Sequence, residues 1–404
     1  MITWQHAEEL WKSLDDKFEG WTDGQQDAYD RWEGQQLMTM LLFFPTGKGK
    51  TKTALSLLAD RGEQEVVVIA PPRTHVAWKQ DAMALGMKIR TDSHAKFRMQ
   101  NSLYKKNVPI IVDEFHLLGG HGAMGWKKFN RMAWSLQAPI LMLSATPNYN
   151  DAERVFCLTA IGDAAPNRNY MSWLWDTCNC KVNQFSAYPD VDKDRPFKDF
   201  NGGALEYLIQ KDWVAYIEDD AVWETDTMTL KNYVDPNFEL YGYDARNHKI
   251  MASDMEKYHK RVYAQFIGDD GLIRPEVMEK LWGTIGWNDR KVWLIFCSHL
   301  PVAEALYKTM STQGQSVAMI HGDMNDQQIE ANKEGFINGE GERYLIGTAT
   351  LATGTDGIDK VCQSLLILDD VRGDGSLRRQ LIGRILPRGA DDGISRLVVT
   401  AAIV

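Results

Sequence analysis

The chain is poor in the features that would make it a secreted, membrane-spanning or fibrous protein. Cysteine is scarce: five residues in 404, at Cys157, Cys178, Cys180, Cys297 and Cys362. No second pair matches Cys178 and Cys180, which argues against a zinc ribbon and leaves free thiols in a reducing compartment. No apolar run approaches the ~20 residues that span a bilayer. The opening "MITWQHAEELWKSLDD" has neither a basic nor an apolar stretch, so no signal peptide is expected there. Positive charge is not in excess either: Lys+Arg number 45 against 55 Asp+Glu, a net charge of −10. A chain that bound polyanions through bulk charge would be basic, so any such binding must be confined to a local groove. No repeat or low-complexity tract interrupts the sequence. These absences predict a cytoplasmic protein, in a cell or in a host.

What is present is an ordinary globular mixture, 44% hydrophobic and 25% charged, long enough for two or three domains. Residues 1–35 read as an N-terminal helical segment, with Leu10, Leu14 and Phe18 at helical spacing. Over residues 36–150 the apolar runs "LMTMLLFF", "EVVVIA", "VPIIVDE" and "APILMLSAT" alternate with helical stretches such as "KTALSLLADRG" and "HVAWKQDAMALG". Continuous rather than alternating apolarity marks strands covered on both faces, hence a parallel α/β sheet. A second block of the same kind fills residues 290–404, with "KVWLIFCSH", "SVAMIHG", "RYLIGTA" and "SLLILDD". Two such blocks predict two doubly wound domains. Residues 151–289 between them are rich in aromatics and acids and are expected to be mainly helical.

The first apolar run leads into "PTGKGKT" and then into a helix. A turn from strand to helix needs one glycine, whereas this one has two, with lysines beside them. The sequence is that of a phosphate-binding loop. Thr46, Gly47, Lys48 and Gly49 form a turn whose backbone N–H groups can face inward, because the glycines carry no Cβ. The helix starting near Lys50 adds its dipole and its unpaired donors. Lys50 can reach the β- and γ-phosphates of a nucleotide, and the Thr51 hydroxyl can ligate Mg2+. The strict pattern has glycine at position 44, where this chain has Phe44. The Lys48 and Lys52 side chains read as solvated.

"VPIIVDEFH" ends an apolar run on Asp113 and Glu114. Unpaired carboxylates at the end of a buried strand are costly. A Mg2+ ion supplies the compensation for Asp113, and Glu114 is then placed as the general base that polarises the attacking water.

The motifs "PTGKGKT", "DEFH", "LSATP", "GTATLATGTDGID" and "QLIGRILPRG" follow one another in this order. In content and order they resemble those of superfamily 2 helicases and translocases, "DEFH" being the DExH variant. The resemblance spans roughly residues 22–150 and 290–395. It implies two RecA-like doubly wound parallel-sheet domains, with ATP in the cleft between them and nucleic acid crossing both. In that family Phe44 is unremarkable. Gln25, in "DGQQDA", resembles the glutamine that reads the adenine edge, with Gln26 as the competing choice. His116, Ser144, Ala145 and Thr146 resemble the elements that link the ATP site to the nucleic-acid track. Gly354 and Asp356 resemble the motif that faces the nucleotide from the second domain. Gln380, Gly383 and Arg384 resemble the final motif. Its second arginine normally follows the first by three residues; here Pro387 stands there and Arg388 comes one later. The resemblance assigns Arg384, together with Arg388, to the transition-state charge.

The same frame places Pro71, Arg73, Thr91, Ser298, His321, Gly322 and Thr348 along the nucleic-acid track. Small hydroxyl and backbone contacts of this kind suit phosphate tracking without sequence reading. Trp173, Trp175, Trp213 and Trp223 could stack bases, although tryptophans at such spacing usually belong to a core. The long region after "SATP" is similar in layout to chromatin-remodeller and phage branch-migration translocases. It differs from DEAD-box RNA helicases, whose domains join by a short linker. The expectation is a monomeric ATPase, of a kind that bacteriophages encode, acting on forked or branched DNA. RNA as the substrate, or an ATP-gated clamp that does not unwind, stand as alternatives.

Overall fold

A computed structural model describes the chain except for residues 1, 16–17, 100–103, 146–151, 164–168, 184–185, 187, 193–194, 202, 219–221, 231–232, 234–262, 286–291, 342, 353–356, 369–374, 388–392 and 403–404. The expected site residues Thr146, Gly354, Asp356 and Arg388 therefore lie outside the described residues. The chain divides into two compact units, Met1–Asp219 and Asp220–Val404.

In the first unit the apolar runs become β1 (Thr39–Phe43), β2 (Glu65–Ile69), β4 (Ile110–Val112) and β5 (Ile140–Ser144), with β3 (Lys88–Asp92) added. A short antiparallel pair, β6 (Cys180–Lys181) and β7 (Asp190–Val191), stands apart, and β8 (Val214–Tyr216) returns to the main sheet. That sheet is parallel, in the order β3-β2-β4-β5-β1-β8. Its two faces belong to separate cores. Leu41 and Phe43 pack into one, and Met40, Leu42 and Phe44 into the other. The period of two along β1 is that of a strand buried on both sides. Each fully buried Leu or Phe contributes about 1.5–3 kcal/mol, so the continuous apolarity of "LMTMLLFF" specifies the strand strongly.

The N-terminal segment forms helices Trp4–Leu14 and Asp23–Gly34. The first turns Trp4, Ala7 and Trp11 inward, while Leu14 is 58% exposed. The apolar face expected from Leu10 and Leu14 is thus displaced toward the larger tryptophans, which bury more area per residue.

The second unit repeats the architecture with β9 (Glu224–Thr229), β10 (Val292–Phe296), β11 (Val317–Ile320), β12 (Arg343–Gly347), β13 (Ser364–Ile367) and β14 (Leu397–Ala402). Its parallel sheet runs β11-β12-β10-β13-β14-β9. The region between the two sequence blocks contains helices, among them Ala152–Gly162 and Tyr170–Thr177, but it also supplies β8 to the first sheet and β9 to the second. Trp173 and Trp213 are buried in the first unit's core, and Trp223 packs against a core of the second. Trp175 is 41% exposed. No helix among the described residues is long and apolar enough to cross a membrane, and none of the five cysteines is in a disulfide.

Candidate functional site

In an open parallel sheet, ligands collect at the carboxyl ends of the strands. In the first unit every described candidate except Gln25 lies at that edge. The loop after β1 carries Thr46 to Gly49, the loop after β2 carries Pro71 and Arg73, and Thr91 sits one residue before the end of β3. Asp113 and Glu114 follow β4, and Ser144 ends β5, followed by the half-buried Ala145.

The loop after β1 is held open by two glycines in the left-handed region, Gly47 at φ 83° and Gly49 at φ 75°. Gly49 caps helix Lys50–Asp60. A Cβ at Gly49 would stand 2.5 Å from Gln25 Nε2, so a side chain there is excluded by space as well as by backbone. Lys50 Nζ reaches back across the loop and donates to the Phe44 carbonyl at 2.9 Å and to the Pro45 carbonyl at 3.1 Å. The ammonium is thus drawn over the concave side of the turn, where a phosphate oxygen would compete for it.

Asp113 is buried. Its Oδ1 accepts from the Glu114 N–H at 3.0 Å and its Oδ2 from the Trp78 indole N–H at 3.3 Å. Burial pushes its carboxyl up to about 6, the Glu114 charge adding to the shift and Lys50 opposing it. A hard oxygen donor that is under-compensated by its neighbours suits a divalent cation. Mg2+ binds through one or two protein oxygens and keeps several waters, so Asp113 with the Thr51 hydroxyl is an adequate protein share. Among the described residues no group of three His, Cys, Asp or Glu side chains could form an all-protein metal cage.

Glu114 occupies the left-handed region at φ 50°, ψ 54°. A non-glycine residue in that conformation carries strain, and such outliers cluster at functional sites. The turn aims the carboxylate toward His116, with Oε2 3.4 Å from Nδ1. The same His116 nitrogen lies 3.2 Å from Ser144 Oγ. Glu114, His116 and Ser144 therefore form one connected group joining the ends of β4 and β5.

Gln25 is buried and committed to local partners. Its Oε1 accepts from the Thr22 N–H at 2.9 Å and from the Thr22 hydroxyl at 3.1 Å, and its Nε2 donates to Thr53 Oγ1 at 2.9 Å. Its described contacts thus tie the second helix to the phosphate loop. The competing Gln26 accepts from Trp4 Nε1 at 3.1 Å and donates to Asp30 at 2.9 Å.

The helix after the loop presents Lys52, Ser56 and Asp60 along one stripe, and the first helix and the turn after it grip all three. Lys52 Nζ pairs with Asp15 and lies over the Trp11 and Phe18 rings. Trp11 Nε1 donates to Ser56 Oγ at 3.0 Å, and the Trp4 N–H donates to Asp60 at 2.6 Å. Lys52 was expected to be solvated; instead, the carboxylate and two rings enclose it. Sequence spacing alone did not connect a lysine at 52 to an acid 37 residues earlier.

In the second unit, Ser298 follows β10, His321 and Gly322 follow β11, and Thr348 follows β12. Because β11, β12 and β10 are consecutive neighbours in a parallel sheet, these residues come together at one edge. The Thr348 N–H donates to the Ile320 carbonyl at 3.2 Å, which ties two of these loops directly. Helix Gly375–Ile382 carries Gln380, with Gly383 and Arg384 just beyond it. Gln380 and Arg384 are both buried. Arg384 Nη2 donates to the Ala352 carbonyl at 2.5 Å, which joins the final motif to the loop after β12.

Two residues at the first unit's site carried no motif signal: Trp78, on helix His75–Ala84, and His94, which opens helix His94–Met99. Trp78 holds the Asp113 side chain, and the buried His94 lies beside the Asp113 backbone. A tryptophan at the first inward position after "PPRTH" is the one clue that the sequence offered.

Comparison with known proteins gives a likeness of fold. S. cerevisiae Dbp5 bound to RNA and ADP BeF3 matches with a TM-score of 0.57 at 15% identity, covering 100% of this chain and 90% of that one. The fold is shared with Dbp5. A variant of Dbp5 in the same bound state gives a TM-score of 0.56 at 15% identity, covering 100% of this chain and 90% of that one. The Sulfolobus solfataricus SWI2/SNF2 ATPase core in complex with dsDNA gives a TM-score of 0.41 at 12% identity, covering 95% and 88% of the two chains. No protein-family model and no curated protein sequence matches the chain. The likeness to Dbp5 extends over the whole chain. Among the described residues, the intervening region supplies β8 to the first sheet and β9 to the second.

Proposed function

We propose that the protein is an ATP-dependent nucleic-acid helicase or translocase acting on forked or branched DNA, and that it hydrolyses ATP to ADP and phosphate. The observation that carries the ATPase reading is the meeting of Lys50, beyond the end of β1, with Asp113 and the strained Glu114, beyond the end of β4 on the other side of β5, with Glu114 linked through His116 to Ser144.

In this reading the loop N–H groups and Lys50 bind the phosphates, and Thr51 and Asp113 hold Mg2+. When bound there, Mg2+ would supply positive charge to the phosphate oxygens. Glu114 takes the proton of the attacking water. The motif resemblance assigns Arg384 and Arg388 to the transition-state charge, and Gly354, Asp356 and Gln380 to the nucleotide site. Ser144, Ala145, Thr146 and His116 sense whether the γ-phosphate is present. Pro71, Arg73 and Thr91 in one unit, and Ser298, His321, Gly322 and Thr348 in the other, hold the strand. A change in nucleotide state then alters the grip, which is how hydrolysis becomes movement.

ATP turnover measured with no polymer, single-stranded DNA, forked DNA and RNA tests this. Strong stimulation by forks supports the proposal. Stimulation by RNA alone replaces it with the second reading, which is favoured by Dbp5 having been solved with RNA. Tight binding without turnover makes the protein a clamp.

A further inference from the structure

Asp113 is the buried carboxylate on which the proposed metal site depends, and the described hydrogen bond from its side chain to another element leads toward the strand-contact loop after β2. Trp78 is almost fully buried, and its indole N–H meets Asp113 Oδ2 at 3.3 Å. The Glu114 N–H holds the other oxygen at 3.0 Å. Two N–H donors on opposite oxygens fix the plane of the carboxylate.

The helix that carries Trp78 grows out of the loop after β2, the loop of Pro71 and Arg73. That junction is stiff. The Thr74 hydroxyl donates to the Pro71 carbonyl at 2.9 Å, and His75 Nε2 lies 3.0 Å from the Ala70 carbonyl. Trp78 follows His75 by one helical turn, so a shift of the loop is passed to the indole instead of being absorbed on the way. A second tie comes from the neighbouring strand. His94 follows Thr91 by three residues, is 6% exposed, and lies beside the Asp113 backbone. Its Nε2 has no hydrogen-bond partner among the described residues, so the ring is held by packing.

We propose that Trp78 is a positioning residue that ties the orientation of the Asp113 carboxylate to the strand-contact loop at Pro71–Thr74, with His94 as a second tie from the end of β3. Occupancy of the loops by polynucleotide biases the Asp113 geometry, and by reciprocity Mg2+-nucleotide at Asp113 biases the affinity for polynucleotide. This rests on the nucleotide-site reading of Asp113. It adds a route that runs through the helix after β2, separate from the Glu114–His116–Ser144 group.

The test is Trp78→Phe, which keeps an aromatic ring in the core and deletes the N–H. Binding of a fluorescent ADP analogue is titrated with Mg2+, with and without a single-stranded oligonucleotide, and ATP turnover is measured alongside. The variant is expected to require about 5- to 10-fold more Mg2+ for half-maximal nucleotide binding, and to lose at least about 5-fold of the mutual enhancement between nucleotide and oligonucleotide. A structural role alone would lower the unfolding midpoint and leave both ratios parental; that result overturns the proposal. Should Trp78→Phe fail to fold, His94→Gln with the same readouts decides: a smaller loss in the same direction supports the coupling, and parental ratios refute it. A parent protein that binds no nucleotide at all overturns the nucleotide-site reading itself, and the coupling with it.

Discussion

The Gln25 side-chain amide donates to Thr53 Oγ1 at 2.9 Å, and Thr53 Oγ1 in turn donates to the Gly49 carbonyl at 3.0 Å. A residue on a helix that precedes the sheet is thereby stitched to the turn that would hold phosphate.

Gly49→Ala should cripple that turn for two separable reasons. The positive φ costs an alanine on the order of 1–2 kcal/mol, and the added methyl meets Gln25 Nε2. Nucleotide affinity, read by fluorescence titration, is expected to fall at least about tenfold, the change that 1.4 kcal/mol produces. Adding Gln25→Ala should restore the part due to crowding and leave the backbone part in place. Full restoration by the second change would show that the left-handed conformation is dispensable.

Glu114→Gln keeps the shape of the side chain and removes its basicity. Turnover should fall about 10²–10⁴-fold while nucleotide binding stays close to parental. Arg384→Ala should likewise spare binding and lower turnover, by about 10³–10⁵-fold. Turnover within a few-fold of the parent in either variant removes that residue from the chemistry.

The pH dependence of stability should reveal Asp81. Burial pushes its carboxyl up to about 6, with Lys52 opposing the shift and Asp15 adding to it. The folded protein thus holds the Asp81 proton more tightly than the unfolded chain does. The resulting stabilisation is complete below about pH 4 and is lost as pH rises through about 6. Asp81→Asn should flatten this slope and stabilise the protein near neutral pH by about 1–3 kcal/mol. Urea melts at acidic and neutral pH measure it; a variant that melts like the parent at both places the carboxylate in solvent.

Trp11→Ala removes a side chain that fills the core and also donates to Ser56. A loss of about 3–5 kcal/mol is expected from the large cavity. Nucleotide affinity should weaken with it, because the same ring lies beside Lys52, two residues past Lys50. Unfolding followed by circular dichroism, with and without ADP, separates the two effects.

Much of the fold was legible where burial leaves no choice. β1, β2, β4 and β5 lie within runs whose continuous apolarity admits one reading, and the same holds for β10 to β13. β3 escaped because it is an edge strand whose "KIRTD" alternates exposed and half-buried residues before the buried Asp92. β8 is three residues long, and β9 is polar at all positions but Met228. Neither stands out until a distant partner is known. At the site, motif spacing picked out Lys50, Asp113 and Glu114, because phosphate and metal chemistry constrain local sequence. It could not pick out Trp78, His94 or Asp15, whose relation to those residues exists only after folding.

The position of β9 has a consequence for synthesis. Among the described residues Glu224–Thr229 pairs with β14 alone, Glu224 opposite Leu397, so the first described strand of its unit to leave the ribosome is the last to find its neighbour. For the whole interval an unpaired strand awaits its partner, and pairings this far apart along a chain form slowly. Its run of threonines and acids, with a single methionine as anchor, is the composition that keeps such a waiting strand from sticking to others of its kind.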